Sequence, residues 1–200
     1  MPSALILVAN GTEEMEFTII YDTLVRAGVK CTSALVTSPG HSGHDETEPG
    51  AVQCSRGVRI VPDASLSQLS ASTTGGYDAI IIPGGLKGAE TISQSSLVQS
   101  LVRSFYESKK LVGMICAASL VAKTSQLPRQ PLTSHPSVKD QLDKDFEYRE
   151  DSVVISGNLI TSRGPGTAFP FAFALVENLC GAQKRSEVIP PMVFPPGTPL

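Results

Sequence analysis

Three uninterrupted apolar runs constrain the fold of this 200-residue chain more than any other feature. They read ALILVA at residues 4–9, YDAIII at 77–82 and LVGMI at 111–115. A strand that is covered by helices on both faces shows such a run, whereas a half-exposed strand alternates apolar and polar residues. Segments with helical spacing separate the runs, and the first of these continues to about Ala27. The pattern predicts an α/β sandwich, with helices on both faces of a mostly parallel sheet.

The third run ends in a sequence typical of a reactive corner, because Cys116 follows it directly and Ala117-Ala118 come next. A sharp strand-to-helix turn that exposes a nucleophile tolerates only small neighbouring residues. The first turn of the following helix favours a thiolate, which predicts a thiol pKa below the usual value of about 8.5. Cys116 is therefore a candidate nucleophile. The alternative is a small buried core cysteine, which is the commoner arrangement of a free cysteine, and this stretch alone does not decide between the two.

Two other strand ends should lie beside this corner, since the carboxyl ends of parallel strands meet at one edge of a sheet. Gly84 and Gly85 end the second run, and adjacent glycines let backbone N–H groups point into an oxyanion site. A plain turn is the alternative there. After the first run, Thr12 is expected to cap a helix, and Glu16 projects from its core-facing side. Glu16 then needs a partner or a raised pKa, unless it is simply a solvated first-turn acid.

One histidine of the later sequence is a candidate for the same site. Pro136 holds His135 in an extended conformation on a loop after the elbow helix, from which it can reach the thiol. Loop histidines are more often only solvated. Further along, the segments 153–156 and 159–162 predict a hairpin, and Pro165 suits the opening of a helix.

Composition limits the classes of function that are open to the chain. A charged fraction of 18%, a net charge of −3 and a pI near 5.6 argue against a nucleic-acid partner. No apolar run has membrane-spanning length and no secretion signal is evident, so no membrane partner is expected. The four cysteines form no CxxC pair, which predicts a reducing cytoplasm, with the nucleus as a second compartment. The length predicts one domain over residues 1–189, followed by a proline-rich arm over 190–200.

Two further segments carry possible but weaker signals. Residues 37–51 are polar and rich in glycine and proline, and they are expected to form a surface loop. His41 and His44 in this loop are a weak metal-binding possibility, but a solvated loop is the better interpretation. A small hairpin is expected over residues 53–61, with Cys54 exposed on it.

Seven stretches, spread in order along the chain, resemble the DJ/ThiJ/PfpI superfamily and, within it, the parkinsonism-associated DJ-one branch. They are GTEEME at 11–16, VQCSR at 52–56, PDASL at 62–66, PGG at 83–85, ICA at 115–117, HP at 135–136 and TSRGPGT at 161–167. Each stretch alone is a weak signal, but the ordered set is specific. The resemblance implies a flavodoxin-like three-layer α/β/α sandwich and a homodimer.

The resemblance also implies roles for individual residues. Cys116 becomes the nucleophile, Glu16 the protonated carboxyl that hydrogen-bonds to its sulfur, and His135 an auxiliary group. Arg56 is expected to reach a partner subunit. No metal and no cofactor is implied. Oxyanion or substrate contacts are assigned to Gly84, Gly85, Ala117 and Pro165.

The activity implied by this branch is that of a glyoxalase III, a lyase of the D-lactate dehydratase type that uses neither glutathione nor a cofactor. It would convert methylglyoxal or glyoxal to lactate or glycolate through a hemithioacetal on Cys116. Alternatives that use the same residues are an oxidative-stress sensor or chaperone, and a deglycase acting on proteins or nucleotides.

The sequence departs from the superfamily pattern in four places. Ala118-Ser119 stand where Gly-Pro is usual after the elbow, and the loop at 37–51 is longer than the usual connection. Ala117 replaces the histidine of peptidase-like members, which argues against a peptidase. No histidine follows His135, which argues against a glutaminase.

Overall fold

Strands and helices alternate through the residues that the computed structural model describes, which are 1–37, 50–69, 71–198 and 200. The strands are β1 (Ser3–Val8), β2 (Lys30–Leu35), β3 (Val52–Gln53), β4 (Arg59–Ile60), β5 (Ala64–Ser65), β6 (Ala79–Ile82), β7 (Leu111–Ile115), β8 (Pro131–Leu132), β9 (Glu147–Tyr148), β10 (Val153–Ser156) and β11 (Leu159–Ser162). The α-helices are α1 (Glu14–Arg26), α2 (Ala71–Gly75), α3 (Leu86–Gln94), α4 (Ser96–Glu107), α5 (Leu120–Thr124), α6 (Ala168–Cys180) and α7 (Ala182–Val188). Five short 3-10 helices cover Leu66–Gln68, Cys116–Ser119, Pro136–Gln141, Pro165–Thr167 and Pro190–Met192.

A seven-stranded sheet has the order β10-β11-β7-β6-β1-β2-β5. All its neighbouring strands are parallel except the β10–β11 hairpin at one edge. The three apolar runs are the three adjacent central strands β1, β6 and β7. The prediction of a mostly parallel sheet is confirmed.

Side chains alternate between two apolar layers along each central strand. Leu5 and Ile80 face one layer, which also contains buried residues of α3, α4 and α5. Ile6 and Ile81 face the opposite layer, where α1, α6 and α7 pack. All four side chains have no exposed surface, and full burial of such a side chain contributes about 1.5–3 kcal/mol. The arrangement confirms a three-layer α/β/α sandwich.

The entry of α1 differs from the sequence prediction. Thr12 was expected to cap the helix, but its hydroxyl accepts a hydrogen bond from the backbone N–H of Ala9 at 3.0 Å. The N-cap residue is Glu13, and no side chain caps the helix there. Thr12 therefore closes the turn after β1, and other contacts hold the start of α1.

The predicted hairpin at residues 53–61 forms, with β3 and β4 as a separate two-stranded sheet. The expectation that Cys54 is exposed was wrong, because its side chain is 4% exposed and packs with the α1 layer. The metal possibility at His41 and His44 lies outside the described residues.

The end of the chain packs against α6. Phe194 makes edge-to-face contacts with Phe169 at 4.9 Å and with Phe173 at 5.7 Å between ring centroids. The backbone of residues 190–200 has one 3-10 turn and is otherwise irregular where it is described, as expected. The division of the chain at residue 189 stays a prediction.

Candidate active site

Cys116 lies at a sharp corner between β7 and a 3-10 turn. Ile115 ends the strand in an extended conformation, and Cys116 then has a φ of 64°, a left-handed conformation that is uncommon outside glycine. Such a conformation costs about 1–3 kcal/mol and persists only where its surroundings enforce it. Ala117 and Ala118 are buried directly behind it. The strand, the sharp turn and the thiol at the corner agree with the sequence prediction.

Glu16 lies fully buried in the first turn of α1. Its Oε2 accepts a hydrogen bond of 2.7 Å from the backbone N–H of Gly84. Its Oε1 has no nitrogen or oxygen partner within the described part of the chain. Burial raises the pKa of this carboxyl to about 7, although the bonds from Gly84 and from the Cys116 thiol oppose the rise. Glu16 is therefore not a solvated helix-start acid.

Gly84 and Gly85 allow the glutamate and the thiol to come together. A Cβ on Gly84 would lie 2.5 Å from the Cβ of Cys116 and 2.7 Å from Oε2 of Glu16. Gly85 has a φ of 88° and packs its Cα against the carbonyl oxygen of Gly11. Only glycine fits both positions without displacing the groups around the thiol.

The Cys116 thiol is surrounded by one carboxyl group and two backbone donors. Burial raises its pKa, and the charge of ionised Glu16 raises it further, whereas the N–H groups of Gly85 and Ala117 lower it. The net effect raises the pKa to about 12, so the prediction of a value below 8.5 was wrong. The thiol is partly covered, and the helix behind it is only a 3-10 turn followed by five α-helical residues. A thiolate at this corner is favoured only after the proton has moved to Glu16, which removes the repelling charge.

His135 lies close to the corner but makes its side-chain contacts elsewhere. Its backbone N–H donates to the carbonyl of Cys116 at 3.2 Å. Its Nδ1 accepts from the backbone N–H of Ser137 at 3.2 Å, so the neutral ring carries its hydrogen on Nε2. A Cβ on Gly164 would lie 3.6 Å from Cδ2 of His135, so Gly164 lies beside the imidazole ring, and Pro165 follows it at the start of a 3-10 turn. Within the described residues, the His135 ring forms no hydrogen bond to Cys116 or Glu16.

Comparison with known proteins shows which family the chain belongs to. The profile of the DJ-1/PfpI family matches residues 2–178. The chain belongs to the DJ-1/PfpI family. It is 45% identical over 188 residues to Protein dj-1beta of Drosophila melanogaster, covering 93% of this chain and 94% of that one. It is also 37% identical to glutathione-independent glyoxalase DJ-1 of Schizosaccharomyces pombe, covering 98% and 100%.

The fold agrees with this membership of the DJ-1/PfpI family. The crystal structure of Drosophila melanogaster DJ-1beta superposes with a TM-score of 0.86. That match has 42% sequence identity and covers 97% of this chain and 98% of that one.

The sequence did not predict that the hairpin at residues 52–60 contacts the start of α1. Ser55 contacts the carboxylates of Glu13 and Glu14, and its backbone N–H donates to Thr12 at 2.8 Å. The motif GTEEME was recognised as a whole, but nothing in it showed that its first two acids bind a hairpin 40 residues away. Two acids before Glu16 are an ordinary helix-start pattern.

A cleft with a volume of about 460 Å³ lies beside the predicted site. Residues 10–11, 53–56 and 86–87 line it, and none of the predicted catalytic side chains does. The cleft meets the Cys116 corner at Gly11, which contacts Gly85, and at the residues after Gly85.

The described residues contain neither a metal-binding cluster nor a membrane-spanning helix. No cluster of three or more histidine, cysteine or acidic side chains is arranged to bind a metal ion there. None of the helices in that part of the chain has the length and apolar character needed to span a bilayer.

Proposed function

We propose that this chain is a glutathione-independent glyoxalase that converts methylglyoxal or glyoxal to lactate or glycolate without a cofactor. The observation that carries the proposal is the surroundings of the Cys116 sulfur, which interacts with the Glu16 carboxyl and the N–H groups of Gly85 and Ala117. The Schizosaccharomyces pombe relative is named for this reaction and matches nearly the whole chain.

The first step is formation of a hemithioacetal. The proton of the thiol moves to Glu16, whose pKa of about 7 suits it to both accepting and donating a proton near neutral pH. The Cys116 thiolate attacks the aldehyde carbon, a carbon–sulfur bond forms, and the carbonyl electron pair becomes an oxyanion. The N–H groups of Gly85 and Ala117 stabilise that oxygen, and Glu16 returns the proton to it.

The second step moves hydrogen within the substrate, so no external oxidant or reductant takes part. A base removes the proton from the former aldehyde carbon to give an enediol, and the neighbouring carbon is then protonated. The product is a thioester of lactate on Cys116, which water hydrolyses to lactate and free thiol. We assign these proton transfers to Glu16 with His135 as an auxiliary group, and we assign the substrate contacts to Gly84 and Pro165.

A lactate assay tests this function. Purified protein is incubated with methylglyoxal in the absence of glutathione, and lactate is measured for wild type, Cys116→Ser and the matched control Cys180→Ser. Cys180 lies at the end of α6 and is also a free thiol. Lactate formation by wild type and Cys180→Ser, with none by Cys116→Ser, supports the proposal. Equal turnover by Cys116→Ser would refute it.

A second candidate, a cysteine-based stress sensor, is favoured by the neutral carboxyl that Glu16 presents to the Cys116 sulfur. Such a carboxyl can donate a hydrogen bond to a sulfinate oxygen and stabilise the oxidised thiol. Mass spectrometry after peroxide treatment tests this role. Addition of two oxygens selectively at Cys116 supports it, whereas equal oxidation of Cys31 contradicts it. Chaperone and deglycase activities use the same thiol and require their own assays.

We further propose that the protein is a homodimer of the reducing cytoplasm, with the nucleus as a second compartment. The four cysteines are free thiols, as a reducing compartment favours. Arg56 is assigned to the contact with a partner subunit. Its guanidinium group donates to the carbonyl of Ser55 at 3.3 Å.

A further inference from the structure

The hairpin at residues 52–60 is fastened to the segment that leads into α1. Asn10 accepts the backbone N–H of Gln53 through its side chain at 2.9 Å, and Gly11 N–H donates to the Gln53 carbonyl at 2.8 Å. Ser55 N–H donates to the carbonyl of Thr12 at 2.8 Å. These bonds hold the helix entry along three successive residues.

Ser55 adds side-chain contacts at the first turn itself. Its hydroxyl oxygen lies 2.6 Å from Oε2 of Glu13 and 2.9 Å from Oε2 of Glu14. Glu14 also accepts the backbone N–H of Arg56 at 2.8 Å. Burial alone would raise the pKa of Glu14, but these hydrogen bonds together with those from its own N–H and from Val58 lower it. Glu14 is therefore a charged group whose oxygens are held by the hairpin.

Within the described residues, no side-chain capping bond fixes the start of α1. The N-cap residue Glu13 makes no side-chain capping bond, and the Thr12 hydroxyl is used by Ala9. On the opposite side, Glu13 N–H donates to the carbonyl of Gly84 at 2.9 Å, and Gly84 N–H donates to Glu16. The first turn of α1 is thus held between the hairpin and the glycine loop.

From these contacts we infer that Ser55 is a positioning residue for the Glu16–Cys116 pair. By holding Glu13 and Glu14, its hydroxyl fixes the orientation of the first turn of α1 about the helix axis. This orientation directs the Glu16 carboxyl group toward Gly84 and the thiol. The space around Gly84 leaves little tolerance, since an added Cβ there would already lie 2.5 Å from Cys116. This inference depends on the proposed function only where methylglyoxal turnover is measured.

The test compares Ser55→Ala with wild type by the pH dependence of Cys116 alkylation with iodoacetamide and by methylglyoxal turnover. Loosening the helix start weakens the bond from Gly84 to Glu16, which is one of the contacts that lower the pKa of Glu16. Because ionised Glu16 is the group that accepts the proton of the thiol, alkylation should show an inflection near the Glu16 pKa of about 7, and in Ser55→Ala this inflection should move upward by about half a pH unit. We expect kcat to fall by about threefold or more, with KM changed by less than about twofold.

Two controls separate positioning from a general structural role. Ser55→Thr keeps the hydroxyl and should restore both readouts, while Ser65→Ala should behave as wild type. Ser65 is a match because, among the described residues, its hydroxyl bonds to Ser67 at an exposed position. A folded Ser55→Ala protein with the wild-type alkylation profile would overturn the inference, as would an equal defect in Ser55→Thr.

If Ser55→Ala does not fold, Glu14→Asp is tested in its place. The shorter aspartate side chain keeps the negative charge but places its carboxylate farther from Ser55 and Arg56. An upward movement of the inflection in this variant supports the inference, and an unchanged profile overturns it. Failure of the proposed function is distinguishable, since wild type would then form no lactate. The alkylation profile does not require turnover.

Discussion

Glu16 carries the largest electrostatic cost at the scale of single residues. Its pKa rises from 4.5 to about 7 on folding, a difference that corresponds to about 3 kcal/mol. Below pH 4.5 both states hold the proton, so stability is unaffected. Between these values the unfolded chain loses the proton while the folded protein keeps it, and stability falls as the pH rises. Above about pH 7 the full cost is present.

Glu16→Gln should remove this cost while keeping an oxygen for the Gly84 N–H. Urea unfolding from pH 4.5 to 8 is expected to show equal stability at the low end. At pH 8 the variant should be more stable than wild type by about 3 kcal/mol. Glu107→Gln, on the exposed face of α4, is the control and should show no such divergence. A constant difference between variant and wild type across the range would contradict the raised pKa.

Gly84 sets the spacing of the site, and its replacement tests that spacing. In Gly84→Ala the new methyl group must displace the Cys116 Cβ at 2.5 Å or the Glu16 carboxylate at 2.7 Å. We expect a loss of about 1–3 kcal/mol in unfolding free energy, and a changed rate of Cys116 alkylation. The matched change Gly166→Ala meets no atom within 4 Å and should leave both measurements close to wild type.

At the scale of elements, the sequence predicted what depends on local pattern. The central strands were predicted because a strand that is covered on both faces leaves an unbroken apolar run in the sequence. Residues such as Ile81 and Val112 in these strands are fully buried. The helix α3 was not predicted, because its sequence LKGAETISQ contains a glycine and only two large apolar residues. It forms where Gly88 packs tightly against the backbone of Thr12, a contact between distant segments.

The C-terminal segment gives a prediction at this scale. Phe194 holds the irregular backbone against α6 through Phe169 and Phe173, so Phe194→Ala should lower stability by about 1–3 kcal/mol in thermal or urea unfolding. Val193 is the matched control. It is 82% exposed with a φ of 54°, a conformation that asparagine tolerates better than a β-branched residue. Val193→Asn should therefore leave stability unchanged or slightly raised, and an equal loss in both variants would contradict the role assigned to Phe194.

At the scale of the whole molecule, the sheet brings together strand ends that are far apart in sequence. Glu16, Gly84 and Cys116 were expected at one sheet edge because parallel strands carry them there, and the structure brings them into contact. The raised thiol pKa was not predictable in the same way, since it depends on how deeply the whole fold covers the sulfur. The contact between the hairpin at residues 52–60 and the start of α1 was also not predicted, because the two segments lie about 40 residues apart in the sequence.

The proposed homodimer gives the last prediction. Met15 on α1 is 54% exposed and Val58 on the neighbouring hairpin is 51% exposed, and the two segments are linked by the bond from Val58 N–H to Glu14. Exposed apolar side chains on two linked segments favour burial against a second copy of the chain. Sedimentation equilibrium at micromolar concentration should give a dimer mass, and Met15→Asp should shift it toward the monomer. Ile155→Asp, at an equally exposed position on β10, should remain dimeric, and the reverse result would place the interface on that edge strand instead.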